Sequence, residues 1–316
     1  MTELTVTKIP IKRGQRITQV ARVPIAGATV EVPVITIGGV HDGPRVAVTG
    51  GIHGAEYVAI EAARRLGMSI DPQELSGTLV VVPISNTTAF FSRSIYTSGL
   101  DTNNLNRMFP GDAQGAPSQV LAGWLFRTII QPSQYYIDMH GGDMIEALVP
   151  FVLAPQTGNA EVDALSLAMA EASGIERIIA GDVAGSTSGA AAAAGIPSIL
   201  AEVGGQGVWR EEEVAAHLES TLRVLRRLSL LPGDVPAALD QRTYRTFAWM
   251  RAETRGLFHP SVRVGEQVRD GQHLGQIVDY FGNPLQSVNA VTDGEVVFLV
   301  TSLAINAGDP LLALGA

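Results

Sequence analysis

The sequence predicts an α/β fold, with a mostly parallel, twisted sheet covered by helices on both faces and a small all-β unit behind it. Apolar strands alternate with helical segments from about residue 45 to residue 230, as in parallel sheets whose crossovers are helices. Beyond Arg242 the helical period stops and short β segments punctuated by Gly begin. With 316 residues, of which 46% are hydrophobic, the chain is long enough for one substantial core and a smaller unit.

The elements follow in a regular order. The first forty residues alternate in the manner of short strands, at Leu4 to Lys8, Ile17 to Val23 and Thr29 to Ile37. The predicted central elements are strand Arg45 to Thr49, a helix with apolar positions Val58, Ala62 and Leu66, strand Thr78 to Pro83, a polar loop Ser85 to Pro117, helix Ser118 to Ile130, strands Tyr135 to Met139 and Pro150 to Ala154, helices Ala160 to Ala172 and Ser186 to Gly195, strand Pro197 to Ala201 and helix Glu211 to Leu230.

The turn-rich stretch Leu231 to Pro236 predicts a domain boundary. We expect a catalytic α/β domain over residues 1–236, with a β segment over 1–40, and a second domain over 237–316. Two related phrases lie in this second domain, which we call the tail, at Val262 to Ile277 and Ser302 to Gly315. Each places an apolar pair before a Gly-acid turn and a second apolar strand. They favour a small β sandwich built from two similar halves.

Composition excludes several classes of function. The 22 Lys and Arg against 31 Asp and Glu give a net charge of −9, which repels nucleic acid and anionic lipid surfaces. The absence of cysteine excludes disulfides and thiolate metal sites, so a metal would need His and carboxylate ligands. With no apolar leader and no membrane-length apolar run, we expect a cytoplasmic protein. The oligomeric state stays open, and a homo-oligomer is compatible with the sequence.

A first candidate cluster follows a buried strand, in the phrase GGIHGAE. His53 and Glu56 are three residues apart at the start of a predicted helix, so both can reach one ion. The carboxyl ends of strands in an open α/β sheet are where ligands bind. The alternative is a loop histidine beside a glutamate that favours the helix dipole.

Two further strands end in polar residues at the same predicted edge. His140 would complete a set of two His and one Glu, which catalytic zinc commonly takes while leaving a position for water. Asp138 either orients His140 or forms an ordinary ion pair at the strand end. Glu202, which ends an apolar strand before two glycines, is the candidate general base.

The long polar loop supplies candidate substrate-binding residues. Arg107, with its planar fork, suits a carboxylate, and Asn104 and Asn106 could add orienting hydrogen bonds. A solvated loop is the alternative, but Leu105 and Met108 would anchor the segment against the core.

In order and spacing, GGIHGAE, NNLNRMFPGD, YYIDMHGGD and ILAEVGG resemble the succinylglutamate desuccinylase and aspartoacylase family of zinc carboxypeptidase-like enzymes. The resemblance covers nearly the whole chain. It implies one zinc ion per chain, a small N-acyl amino acid as substrate, and a tail similar to lipoyl or biotinyl β sandwiches, with a capping role. The residue roles that it implies are zinc ligands for His53, Glu56 and His140, general base for Glu202, carboxylate binding for Asn106 and Arg107, and polarisation of the scissile carbonyl for Arg93.

The sequence departs from the family pattern in two places. Asn104 stands where the family often has Asp, which removes a carboxylate that could brace Arg107. From Ile178 to Trp209 there is no Lys or Arg, although relatives that handle dicarboxylates place an arginine ahead of the catalytic Glu. We therefore expect a substrate whose side chain is neutral or cationic, such as an N-acetyl-diaminobutyrate-like compound. The alternatives are a zinc carboxypeptidase acting on short peptides and a non-catalytic zinc-binding protein.

Overall fold

The computed structural model describes residues 9–25, 27–181, 184–236 and 240–316. The strands of the first part are β1 Gln15–Ile25, β2 Ala28–Gly38, β3 His41–Gly50, β4 Ser76–Val82, β5 Tyr135–His140, β6 Glu146–Leu148, β7 Phe151–Ala154, β8 Arg177–Ala180, β9 Ser198–Glu202 and β10 Arg242–Tyr244. The helices are α1 Tyr57–Ser69, α2 Thr87–Ser92, α3 Pro117–Leu125, α4 Ala160–Ser173, α5 Thr187–Ala193 and α6 Glu211–Arg227. A 3-10 turn spans Leu105–Arg107, and a π-helical turn, Phe126–Ile130, continues α3.

The main sheet has the order β1-β2-β4-β3-β5-β9-β7-β8-β10. Its centre, from β4 through β3 and β5 to β9, is parallel. Antiparallel pairing occurs between β1 and β2, β2 and β4, and β7 and β9. The α/β prediction is therefore confirmed, with a mixed sheet.

Helices cover the two faces of this sheet because its central strands are apolar on both sides. On β3, Val46 and Val48 belong to a core shared with α1, α4 and α6, whereas Ala47 between them belongs to a second core with α3 and α5. Alternate side chains of a strand point to opposite faces. The central strands thus end between two helical layers, at Gly50, His140 and Glu202.

The tail is formed by β strands: β11 Phe247–Arg251, β12 Gly256–Pro260, β13 Gln267–Val268, β14 His273–Val278, β15 Pro284–Asn289, β16 Gly294–Val300, β17 Ala304–Ile305 and β18 Pro310–Gly315. One sheet has the order β11-β18-β16-β13, and β6 pairs with β16 from outside the tail. The other has the order β15-β14-β12-β17. Residues of both sheets, such as Ile277 and Leu312, share one apolar core, as a β sandwich requires.

Some predictions differ from the structure or lie outside it. The predicted strand Leu4 to Lys8 lies outside the described residues, and so do residues 237–239 at the predicted boundary, so the division into two domains stays a prediction. The loop predicted over Ser85 to Pro117 contains α2 and the 3-10 turn, and β8 was not predicted because its apolar run is only three residues long. In the described part of the chain, no helix is both long and apolar enough to cross a membrane.

Candidate metal centre and its cavity

Three side chains from two strand ends converge on one point. His53, Glu56 and His140 each offer a ligand atom, and these atoms lie within 4.8 Å of one another. His53 Nδ1 is 2.6 Å from Glu56 Oε1, and His140 Nδ1 is 2.8 Å from Glu56 Oε2. The sequence predicted this set, and the structure brings it together.

The turn between β3 and α1 positions two of the three. The helix begins at Tyr57, so His53 and Glu56 lie in the turn before α1, not in its first turn as the sequence suggested. A Cβ on Gly54 would lie 2.2 Å from the backbone of Ala89 at the carbonyl carbon, which leaves room only for glycine. The close approach of α2 therefore holds this turn in place.

The far nitrogen of each imidazole is bound to an oxygen. His140 Nε2 lies 2.9 Å from Asp138 Oδ2, and His53 Nε2 lies 3.0 Å from Asn104 Oδ1. The backbone N–H of Asn106 donates to the same Asn104 atom over 2.8 Å, which identifies that atom as the oxygen. Both rings thus carry a proton on Nε2 and turn Nδ1, the atom that could bind a metal, towards Glu56.

The Glu56 carboxylate and the two Nδ1 atoms that face it need positive charge between them, supplied either by a proton on each imidazole or by a metal cation that replaces those protons. Glu56 Oε2 is buried and has no hydrogen-bond partner among the described residues, although His140 Nδ1 is close by. Burial opposes ionisation of Glu56, but positive charge on the His140 and His53 imidazoles outweighs it and lowers the pKa of Glu56 to about 2. Burial likewise opposes the charge on the imidazoles, and Glu56 outweighs it and helps to raise the pKa of both histidines. The donor set, two His and one Glu, fits a zinc-type ion with an open position.

Asp138 supports the centre from behind. Its side chain is fully buried, and Oδ1 accepts a hydrogen bond of 2.6 Å from Thr49 Oγ1. Thr187 Oγ1 donates to the other oxygen, which also faces His140. The carboxylate is therefore held from two sides and fixes the orientation of the His140 ring.

Glu202 is the neighbour of His140 across the sheet. The two residues are paired in register at the ends of β9 and β5, and both line the same cavity. Burial raises the pKa of the Glu202 carboxyl well above its ordinary value, the Glu56 and Glu146 carboxylates add to that rise, and His140 opposes it. A carboxyl beside the candidate metal centre that takes up protons readily is suited to proton transfer.

The predicted substrate-binding residues also line this cavity. Asn106 is buried, its Oδ1 accepts the backbone N–H of Thr187 over 2.9 Å, and Arg107 Nη1 donates to its carbonyl oxygen over 2.6 Å. Asn104 touches the cavity as well, while its oxygen is engaged by His53. Burial lowers the pKa of Arg107, and the like charge of Arg251 adds to this effect.

The model of the succinylglutamate desuccinylase/aspartoacylase catalytic domain matches residues 42–228, more than half of the chain, including both strand ends that form the centre. The chain belongs to this family.

Three similar proteins match over 86% or more of the chain. The N-alpha-acetyl-L-2,4-diaminobutyric acid deacetylase of Halomonas elongata is 26% identical over 86% of this chain and 82% of its own. A product-bound structure of the ectoine utilization protein EutE (DoeB) from Ruegeria pomeroyi has a TM-score of 0.89 at 25% identity, over 98% of this chain and 97% of that one. A succinylglutamate desuccinylase/aspartoacylase structure from Rhodobacter sphaeroides has a TM-score of 0.87 at 28% identity, over 99% and 98%.

Arg93, matched to an arginine of the family, lies elsewhere. It ends α2 in a left-handed conformation, with φ of 53°. Its side chain lines a separate groove beside Phe90 and Trp209 and does not line the cavity of His53. The sequence placed Arg93 in an unstructured loop, whereas α2 forms there and directs the residue to this groove.

The cavity has a volume of about 680 Å³ and extends well beyond the predicted residues. Lining residues that the sequence did not single out are Tyr96, Glu146, Phe151, Phe247, Trp249, Arg251 and Phe298. Glu146 accepts hydrogen bonds of 2.7 Å from Tyr96 Oη and from the backbone N–H of Asp143, and burial raises its pKa to about 7. Several of these residues come from the tail, and only the alternating phrase FAWMR could have drawn attention to them.

Proposed function

We propose that this chain is a zinc-dependent deacylase that hydrolyses the amide bond of a small N-acyl amino acid, with one zinc ion per chain. The observation that carries the proposal is the convergence of His53 Nδ1, His140 Nδ1 and the Glu56 carboxylate beside Glu202. Family membership supports a deacylase, and the deacetylase relative from Halomonas elongata supports an acylated amino acid as substrate. The cytoplasmic location and any homo-oligomer stay predictions.

The substrate in this proposal carries one carboxylate and a neutral or cationic side chain. Arg107 and Asn106 would hold the carboxylate, while the guanidinium of Arg251 is engaged by the Trp249 ring and by the carbonyl oxygen of Gly308. Between Ile178 and Trp209 the sequence offers no cation for a second carboxylate. The buried carboxyl of Glu146 would instead tolerate a positive side chain, as in N-acetyl-diaminobutyrate.

The chemistry in this proposal divides between the metal and the chain. A divalent ion held by His53, Glu56 and His140 would supply Lewis acidity, which activates water and polarises the acyl oxygen. Glu202 accepts the proton of the attacking water on its carboxylate and then delivers it to the leaving nitrogen. Asp138 and Asn104 keep the two imidazoles in the orientation that the metal needs. No step is assigned to Arg93, because it lines another groove.

Cleavage of longer peptides fits the cavity less well than cleavage of small amides. Tail residues, among them Phe247, Trp249 and Pro310, form part of the cavity wall. Paired assays on N-acyl amino acids and on short peptides separate the deacylase from a carboxypeptidase. Faster turnover of the peptides would reverse this choice.

A substrate screen with the zinc-loaded protein tests the proposed function. We expect release of amine from N-acetyl amino acids with neutral or cationic side chains, inhibition by a chelator and recovery with zinc. Robust turnover of N-acetylaspartate or succinylglutamate would refute the proposal that the substrate side chain is neutral or cationic. A protein that binds zinc but hydrolyses none of these compounds would favour the non-catalytic alternative.

A further inference from the structure

Four aromatic rings form a continuous wall along one side of the cavity. Phe151 lies 5.7 Å from Phe247 between ring centroids, Phe247 lies 5.2 Å from Trp249, and Trp249 lies 5.0 Å from Phe298. All four line the cavity that also holds the candidate metal centre. We call this set, Phe151, Phe247, Trp249 and Phe298, the aromatic wall.

The wall starts next to the proposed base. In the register of β7 and β9, Phe151 is the direct partner of Glu202, and directly opposite residues on antiparallel strands are close neighbours. Leu153 on β7 and Leu200 on β9 line the cavity on the same part of the main sheet, and Leu148 on β6 lines it beside β16. Apolar surface therefore reaches from the reacting position outwards.

The tail supplies the other part of the wall through the alternation of β11. Phe247 and Trp249 are two residues apart and face the cavity, whereas Met250 between Trp249 and Arg251 is buried in the core of the tail. Arg251 follows on the cavity side, with its guanidinium 5.6 Å from the centre of the Trp249 ring. Trp249 keeps 42% of its surface exposed, so the wall presents apolar area that a bound group can cover.

We infer that the aromatic wall is a binding subsite for an apolar, preferably aromatic, substituent of the N-acyl amino acid. The inference rests on the proposed function and deepens it. A volume of about 680 Å³ lies within the range of about 300–1,000 Å³ that drug-sized ligands occupy, so the site has room beyond an acetyl group and a short side chain. Edge-to-face contacts with an added ring are favourable beyond the area that they bury.

Three substrates test the subsite and distinguish the two places where the ring could be attached. N-acetyl-L-phenylalanine carries the ring in the side chain, N-phenylacetyl-L-alanine carries it in the acyl group, and N-acetyl-L-alanine has none. For the zinc-loaded protein we expect kcat/KM to be about tenfold higher for at least one aromatic substrate than for N-acetyl-L-alanine. The favoured substrate tells which part of the molecule contacts the wall.

Variants of the wall provide the structural test. We expect Trp249→Ala and Phe247→Ala to lower kcat/KM for the favoured aromatic substrate towards the value for N-acetyl-L-alanine, mainly through KM. Phe281→Ala is the matched control, because this ring is 90% exposed on a turn between β14 and β15 and does not line the cavity. Trp249→Leu keeps an apolar side chain and should retain part of the preference, which separates loss of contact from misfolding.

A binding measurement keeps this inference apart from the deacylase proposal. In a Trp209→Phe background, the exposed tryptophan that remains is Trp249, and we expect N-acetyl-L-phenylalanine to quench its fluorescence more strongly than N-acetyl-L-alanine does. Quenching without hydrolysis of any compound would reject the deacylase and retain the subsite. Equal kcat/KM for the three substrates, or a preference that persists in both wall variants, would overturn the subsite and leave the deacylase standing.

Discussion

At the scale of single residues, two carboxyl groups in the cavity compete for the role of general base. Burial raises the pKa of both Glu202 and Glu146. Glu146 has both oxygens engaged, by Tyr96 and by the backbone N–H of Asp143. Glu202 is instead the cross-strand partner of the candidate ligand His140. Position, and not pKa, therefore favours Glu202.

We predict that Glu202→Gln lowers kcat by about 100-fold or more while the zinc content stays the same, because an amide cannot accept the proton. Glu146→Gln is the matched comparison, since it neutralises the other carboxyl of the cavity and should lower kcat by less than about tenfold. Steady-state kinetics with metal analysis on both variants checks this. The reverse order of losses would transfer the role of the base to Glu146.

Asp138 gives a prediction about metal affinity. Replacement by Asn removes the charge that holds the His140 ring from behind, and outer partners of this kind are worth about 10–100-fold in metal affinity. Competition with a chromophoric chelator would measure the change in Asp138→Asn. Asp163→Asn, at the start of α4, serves as the control and should bind zinc as the parent does. Unchanged affinity in Asp138→Asn would mean that Thr49 and Thr187 orient the site without the charge.

At the scale of elements, the turn between β3 and α1 connects the metal centre to α2. The backbone of α2 approaches Gly54 so closely that no side chain fits. His53, one residue earlier, is bound to Asn104 at the start of the 3-10 turn Leu105–Arg107. Three short elements thus fix the position of one ligand.

A methyl group at Gly54 should therefore disturb both stability and the metal site. We predict that Gly54→Ala costs about 1–3 kcal/mol in the free energy of unfolding, as overpacking does, and lowers zinc affinity. Gly181→Ala is the control, because a Cβ there meets no atom of the described residues within 4 Å. Urea unfolding of both variants measures the difference. A Gly54→Ala protein as stable as the control would show that α2 can move away at little cost.

Most of the elements that form the site could be predicted from the sequence. Strong apolar runs that end in polar residues predicted β3, β5 and β9 and, with them, the meeting of His53, Glu56, His140 and Glu202. Arg93 could not be placed, because α2 is only six residues long, which is too short for a helical period to be recognised in the sequence. The tautomer of His53 likewise depends on Asn104, 51 residues away, whereas Asp138, the partner of His140, was already a candidate in the sequence.

At the scale of the whole molecule, the tail contributes to the cavity and is attached by more than apolar contacts. Arg177 on β8 donates to both carboxylate oxygens of Glu295 on β16, over 2.9 and 2.7 Å. Tyr244 Oη also donates to Glu295. Burial alone would raise the pKa of Glu295, but these hydrogen bonds outweigh it and lower that pKa below its ordinary value.

The ion pair between Arg177 and Glu295 predicts a loss of stability when one partner is removed. Arg177→Met leaves a buried carboxylate without its cation, and we expect a loss of about 3 kcal/mol in the free energy of unfolding. Arg242→Met is the matched control, because Arg242 is 3.9 Å from Glu176 in an exposed pair and should contribute less than about 1 kcal/mol. Equal effects in denaturant titrations would mean that the Arg177 pair does not hold the tail.

The lowered pKa of Glu295 also predicts how the stability of the fold depends on pH. Because its folded pKa is lower than the unfolded value of about 4.3, Glu295 stabilises the fold fully above that value, and its contribution is lost as the pH falls through the folded pKa. A double variant, Arg177→Met with Glu295→Gln, should lose less stability than the parent on acidification from about pH 5. If the free energy of unfolding fell equally with pH in the parent and in the double variant, the predicted contribution of Glu295 would be wrong.

The aromatic wall shows what the sequence could not reveal. Phe151 and Phe298 are 147 residues apart by number and face one cavity because the tail packs onto the main part of the chain, where β6 pairs with β16 and Arg177 pairs with Glu295. No local sequence pattern predicts such a contact. The tail was expected to limit access to the site, and its residues in addition form a large share of the cavity lining.

The most direct test of the account is the position of the metal. Diffraction data recorded at the zinc absorption edge from crystals of the zinc-loaded protein would locate the ion by its anomalous signal. We predict one peak per chain, about 2.0–2.2 Å from His53 Nδ1, His140 Nδ1 and a Glu56 oxygen. A peak bound through the Nε2 atoms, or a site away from these three side chains, would contradict it.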